Sequence, residues 1–152
     1  LKDPLMQKLI DDMIDTMHEY SGIGLAAPQV HESLRLFVAH LDPDGRADGD
    51  PVAIINPEIS VIGKQIVEGW EGCLSIPDIR GLVPRAFHIS VVALDRHGKR
   101  IEFEAKDYPA RVIQHETDHL DGILFFDRMR SFESLTYMEE FSRYHARHDD
   151  DD

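Results

Sequence analysis

The chain has 152 residues, 42% hydrophobic and 30% charged, the proportions of one ordinary globular domain with enough length to bury a core. Its formal charge of −13 excludes broad contact with nucleic-acid phosphates, which needs clustered Lys and Arg, and no apolar run approaches the ~20 residues of a membrane-spanning helix. A single cysteine, Cys73, excludes an internal disulfide and fits a reducing compartment.

Asp3-Pro4 reads as a helix start, with Asp as N-cap and Pro at the first helical position. Met6, Leu9, Ile10, Met13, Ile14 and Met17 then recur at helical spacing to about Tyr20, and the methionine stripe reads as core packing. Ser21-Gly22 ends the helix. The small-residue stretch Gly22-Ile23-Gly24-Leu25-Ala26-Ala27-Pro28-Gln29-Val30 lacks the Lys-Ser/Thr ending of a phosphate loop, so it is either a tight turn or a place of close backbone approach. Gln29 matters there because an amide N–H can donate to a developing oxyanion.

Strands are expected over Leu34–Ala39, Val52–Asn56 and Ile59–Val67, the last two separated at Pro57. Asp42 to Asp50 is a polar surface loop. Phe87–Leu94 and Arg100–Ala105, joined through Asp95 to Gly98, form the clearest antiparallel hairpin. A helix runs from Pro109 to Asp121 with Gly122 as its stop, and a last helix runs from about Phe132 to His145. The run Asp149–Asp152 supplies four of the negative charges, leaving a body at −9 that is still acidic.

The Pro109–Asp121 helix carries Gln114-His115-Glu116-Thr117-Asp118-His119-Leu120, an H-E-x-x-H pattern. Histidines at i and i+4 share one helix face and can grip one metal ion, with Glu116 beside it to move protons. The bland reading is a polar face near the surface, but a helix with Val112, Ile113 and Leu120 is expected to be buried, where such groups need partners.

A catalytic metal usually takes three protein ligands and keeps one open position. The metzincin position for a third histidine holds Phe125, so that reading fails. A thermolysin-like arrangement could use Glu139 or Glu140. Cys73, in Glu71-Gly72-Cys73-Leu74-Ser75, is a buried small hydrophobe, a nucleophile, or a thiolate ligand; beside an H-E-x-x-H helix the ligand is the most economical of the three.

Three blocks in order, Gly22-Ile23-Gly24-Leu25-Ala26-Ala27-Pro28-Gln29, Glu71 to Ser75, and Gln114 to Leu120, resemble the signature motifs of peptide deformylase; the similarity extends to Asn56-Pro57 and Val83-Pro84-Arg85. Thr117 stands where a larger apolar residue is usual, a departure that leaves ligand spacing intact. The segment that precedes the first helix in the family is absent from the sequence shown, and Asp149–Asp152 ends it where some bacterial members carry a basic helix used at the ribosome. The ribosome is left open as a partner, but not through a basic C-terminal helix.

The resemblance implies an α+β fold, with antiparallel sheets around the central H-E-x-x-H helix, an N-terminal and a C-terminal helix, one catalytic domain over residues 1–148 and an acidic disordered tail over 149–152. It implies a hydrolase that removes the N-formyl group from the N-terminal formylmethionine of new polypeptides and releases formate. Cys73, His115 and His119 would hold one divalent ion, Fe2+ by family resemblance, with Zn2+, Ni2+ or Co2+ able to occupy the same donors. Glu116 would act as general base and acid for a metal-bound hydroxide, with Gln29 and the Leu74 backbone N–H holding the oxyanion.

The backbone near Ile23, Gly24 and Gly72 would pair with an extended peptide, and Ile23, Tyr108, Arg111 (through its stem) and Val112 would line the methionine pocket. Glu71 and Arg85 are expected to form a structural ion pair, and Arg80 to lie at the site mouth. His18, His31, His40, His88, His97, His145 and His148 lack ligand spacing. The expected partner is the formylmethionyl peptide, with no nucleic acid and no membrane. The expected location is the cytoplasm of a bacterial or virus-infected bacterial cell, with an organelle left open because Leu1 leaves room for a preceding segment. A non-enzymatic paralogue is the remaining alternative, opposed by intact Glu116 and Gln29.

Overall fold

The computed structural model describes residues 3–42, 49–73 and 76–137. Helix α1 spans Pro4–Glu19, capped by Asp3, whose carboxylate accepts the Leu5 N–H at 2.9 Å. In chain order the strands are β1 (Gly24–Ala26), β2 (Leu36–Ala39), β3 (Val52–Val61), β4 (Ile66–Cys73), β5 (Ile76–Ala86), β6 (His88–Leu94) and β7 (Arg100–Lys106). Helices α2 (Tyr108–Leu120) and α3 (Phe125–Arg128) and the short strand β8 (Thr136–Tyr137) follow. All recorded pairings are antiparallel: one sheet runs β1-β2-β3-β6-β7, the other β4-β5-β8. This is the expected α+β architecture. None of the described helices is long and apolar enough to cross a membrane.

Strand β2 shows how the large sheet acquires two cores. Alternate residues point to opposite faces, so Leu36 and Val38 join Ile10, Met13 and Met17 of α1, while Phe37 and Ala39 join Ala110, Val112 and Ile113 of α2. The methionine stripe is thus core, as its spacing implies. Helix α2 packs on β1, β2 and β7 of the large sheet and also touches β5 of the small one, so it lies where both sheets can reach its ligand-bearing face. Its first turn carries Pro109, and Gly122 closes it at φ 75°, a left-handed conformation that suits glycine.

Three expectations are corrected. Pro57 does not divide two strands: β3 is continuous through it, with a bulge between Ile55 and Glu58 and Asn56 at φ 51°. A bulge is one of the few places where a strand tolerates proline. The expected strand Ile59–Val67 is therefore split between the end of β3 and the start of β4. The chain from Phe132 does not begin a helix either. Phe132–Ser134 forms a 3-10 turn capped by Ser131, and Thr136 and Tyr137 pair with Arg80 and Ile79 of β5. The open edge of β5 and the strand preference of Thr and Tyr prevail over the three-residue spacing of Leu135 and Met138. Residues 138–145, Glu139 and Glu140 among them, and the acidic run 149–152 lie outside the described residues.

One position in α2 works against stability. The Thr117 hydroxyl is buried without a hydrogen-bond partner. Thr117→Val removes that unsatisfied group at similar size, so we expect a gain of about 1 kcal/mol, read as a rise of a few degrees in the thermal midpoint.

Candidate metal centre and peptide cleft

Helix α2 places His115 and His119 one turn apart, ring centroids 4.7 Å and nearly perpendicular at 87°. Cys73, at the end of β4, reaches them from the small sheet: its Sγ lies 3.3 Å from His119 Nε2. One donor atom from each of the three residues lies within 4.8 Å of the others, and this is the one His/Cys/Asp/Glu group of that kind among the described residues. The structure thus brings together the three residues named as ligands.

Each imidazole is held from behind. His115 Nδ1 lies 2.7 Å from Glu71 Oε1, which leaves Nε2 for the centre, and His119 Nδ1 lies 3.2 Å from Glu116 Oε1. Glu71 is itself gripped by Arg85, whose Nε and Nη2 each donate to it at 2.9 Å, so the expected ion pair is present. Arg111 also donates to Glu71. Its guanidinium, not only its stem, is therefore engaged, with further bonds to the Val67 and Val83 carbonyls at 2.6 and 2.8 Å.

The electrostatics favour a cation. Burial works against a charged Glu71, but hydrogen bonds and charge from His115 and Arg85 bring its pKa down to about 2. Burial likewise works against protonating His115 and His119. Hydrogen bonds to Cys73, to Glu71 for His115 and to Glu116 for His119, with the charge of the carboxylates, nevertheless carry them up to about 10 and about 9. The negative potential that draws protons onto both rings would equally hold a divalent ion, so the donor set and its field fit a metal.

Glu116 is 2% exposed, and its Oε2 has no hydrogen-bond partner. A buried, unsatisfied carboxylate oxygen is costly and marks a place where something else is meant to bind. Gln29 sits in the 3-10 turn Ala27–Val30. Its Oε1 accepts the Ala26 N–H at 2.8 Å, which turns the amide N–H2 toward Cys73, 3.3 Å from Sγ. Orientation of that amide is fixed by the backbone, since an N–H can only donate to the oxygen end.

A cleft of about 860 Å3 opens over the centre. Ile23, Gly24, Gly72, Tyr108, Arg111 and Val112 all line it, as do Gln29, Cys73, His115, Glu116 and Arg80. Leu74 lies outside the described residues. The sequence reading did not include Tyr20, Trp70 and Ile79, which also face the cleft. Trp70 and Ile79 lie on β4 and β5, whose register with the centre appears only once those strands are paired, while Tyr20 caps the end of α1. Among the other histidines, His18 and His40 meet each other, Nε2 to Nε2 at 2.9 Å, away from the ligand set.

Comparison with known proteins agrees with this geometry. Residues 1–134 match the family model described as polypeptide deformylase. The chain is 46% identical over 145 residues to peptide deformylase 2 of Nostoc sp., covering 93% of this chain and 81% of that one. Its fold matches the crystal structure of peptide deformylase from Thermotoga maritima with a TM-score of 0.78 at 43% identity, over 85% and 84% of the two chains. It also matches a class I type b peptide deformylase from Acinetobacter baumannii solved with Met-Ala-Ser bound, with a TM-score of 0.77 at 40% identity, over 85% and 84%. A two-sheet fold around an H-E-x-x-H helix, three convergent donors and these likenesses lead to one conclusion: the chain belongs to the peptide deformylase family, metal-dependent hydrolases that remove the N-formyl group from new polypeptides.

Proposed function

We propose that Cys73, His115 and His119 hold one divalent ion and that Glu116 and Gln29 act on a formylmethionyl peptide bound in the cleft. The observation that carries this reading is the convergence of a thiol and two imidazoles within 4.8 Å of one another beside a buried carboxylate oxygen that lacks a partner. The ion, when bound, supplies Lewis acidity that makes water a competent nucleophile at neutral pH. Fe2+ is the expected occupant by family resemblance; Zn2+, Ni2+ and Co2+ suit the same donors.

The chain's own groups account for the remaining steps. Glu116 accepts the proton of the attacking water and returns it to the departing amine, which leaves as the free N-terminus while formate is released. Gln29 Nε2 donates to the oxygen that becomes negative as the formyl carbon turns tetrahedral, and the Leu74 backbone N–H is assigned as a second donor. Among the described strands, β1 and β4 are each the edge of a sheet, and Gly24 and Gly72 on them line the cleft. An extended peptide can therefore add to these edges as a further strand, with its methionine side chain against Ile23, Tyr108, Val112 and the stem of Arg111. We place the reaction in the cytoplasm, where new chains carry formylmethionine. The acidic run Asp149–Asp152 has the wrong sign to dock on ribosomal RNA, so we assign no ribosome contact to it.

Gly24 ties the cleft to the catalytic group. A Cβ there would lie 2.8 Å from Glu116 Oε2 and 2.9 Å from its Cγ and Cδ. Gly24→Ala should push the carboxylate aside and lower the rate of formate release about 10²-fold, the cost of a displacement near 1 Å, while metal content stays at the wild-type level.

The function itself is tested with formyl-Met-Ala-Ser. Metal-loaded protein is expected to yield formate and intact Met-Ala-Ser in equal amounts by mass spectrometry. Cleavage at an internal peptide bond, with the formyl group retained, would instead support an endopeptidase.

A further inference from the structure

Helix α2 carries a buried acid that the chemistry above does not use. Asp118 is 8% exposed and accepts two arginines: Arg85 Nη1 on Oδ2 at 2.5 Å, and Arg128 in a two-pronged grip, Nη2 on Oδ1 at 3.0 Å and Nε on Oδ2 at 3.1 Å. Arg85 in turn holds Glu71 with its other two nitrogens, and Glu71 holds His115. The charges alternate along a continuous path, Arg128–Asp118–Arg85–Glu71–His115. It begins at a side chain 47% exposed to solvent and ends on an imidazole of the centre.

The element that carries Arg128 reaches the same imidazole a second time. Helix α3 begins with Phe125, 1% exposed, whose ring stacks on His115 with centroids 6.4 Å apart and planes 22° from parallel. The register of α3 is set at its start, where the Asp127 carboxylate accepts the Leu124 N–H at 2.9 Å. One turn of helix therefore places an aromatic ring against the His115 face and a guanidinium on the acid behind the ring's hydrogen-bond partner.

We propose that Arg128 is a positioning residue of the metal centre, acting through Asp118, Arg85 and Glu71 to hold His115 in its ligating orientation. Without Arg128, Asp118 keeps Arg85 as its cationic partner and draws that guanidinium toward itself. The bidentate grip of Arg85 on Glu71 loosens, and with it the Glu71 bond that orients His115. Arg128 does not line the cleft, so peptide binding is left unchanged.

The inference rests on His115 being a ligand, and its test separates the two questions. The full chain is loaded with Co2+, and its transfer to a chelator is followed by the loss of the thiolate-to-cobalt absorption. Wild type binding one equivalent with that absorption, and Cys73→Ala showing none of it, establishes the centre itself; absence of the band in wild type would refute the centre and the inference together. Given the centre, Arg128→Ala should weaken Co2+ binding by about tenfold, the low end of the range for partners behind a ligand. It should lower kcat at unchanged KM, and Arg128→Lys should restore part of the affinity as a point charge without the two-pronged grip. The same substitution in a Glu71→Gln background should have no further effect on affinity, because the path is already cut. Wild-type Co2+ affinity in Arg128→Ala, or an equal loss in both backgrounds, would overturn the proposal and leave Arg128 as a stabiliser of α3 alone.

Discussion

Glu116→Gln is expected to lower formate release by about 10²–10⁴-fold, the range that a positioned acid–base group contributes, with metal content and thermal midpoint unchanged. The substitution keeps the size and one acceptor oxygen, so the 3.2 Å contact to His119 can be maintained. It removes only the capacity to carry a proton. The structural ground for assigning that proton to Glu116 is its second oxygen, buried beside Gly24 without a partner, while the first is occupied by His119. A variant that released formate at the wild-type rate would show that the water loses its proton elsewhere.

Cys73→Ala should be more severe. It removes one of three donors and leaves two imidazoles, too few for the usual catalytic set, so formate release should fall to the uncatalysed baseline and dialysed protein should retain no metal. The thiol also organises its surroundings, since Gln29 Nε2 and His119 Nε2 both lie 3.3 Å from its Sγ. The loss will therefore exceed that of a simple ligand deletion, because the oxyanion donor is freed as well. Retained metal at wild-type stoichiometry would exclude Cys73 from the ligand set.

The parts of this site legible in the sequence are those whose spacing is local. His115 and His119 fall on one helix face because a helix repeats every 3.6 residues, and the Asp3 cap and Gly122 stop follow from backbone chemistry near them in the chain. Cys73 could be nominated but not placed. Its approach depends on the pairing of β4 with β5, strands whose glycines, prolines and glutamates hide both the apolar run that marks Val52–Ile55 and the alternation that opens Phe87–Leu94. The same is true of Arg128. Nothing in its neighbourhood singles it out until α3 turns back on Asp118. Arg111 shows a subtler limit, since the family resemblance put its stem at the cleft, yet its guanidinium turned to Glu71 and two carbonyls across the small sheet. The false start of a helix at Phe132 came from reading three-residue spacing where a free strand edge on β5 decided the outcome.

Metal dependence is the most direct test that this centre performs deformylation. Protein stripped by a chelator under anaerobic conditions is titrated with Fe2+, and formate release from formyl-Met-Ala-Ser is measured at each addition. The rate should be at baseline without metal, rise in proportion to added Fe2+, and level off at one equivalent per chain. A full rate in the stripped protein, or no formate at one equivalent bound, would contradict a centre built from Cys73, His115 and His119.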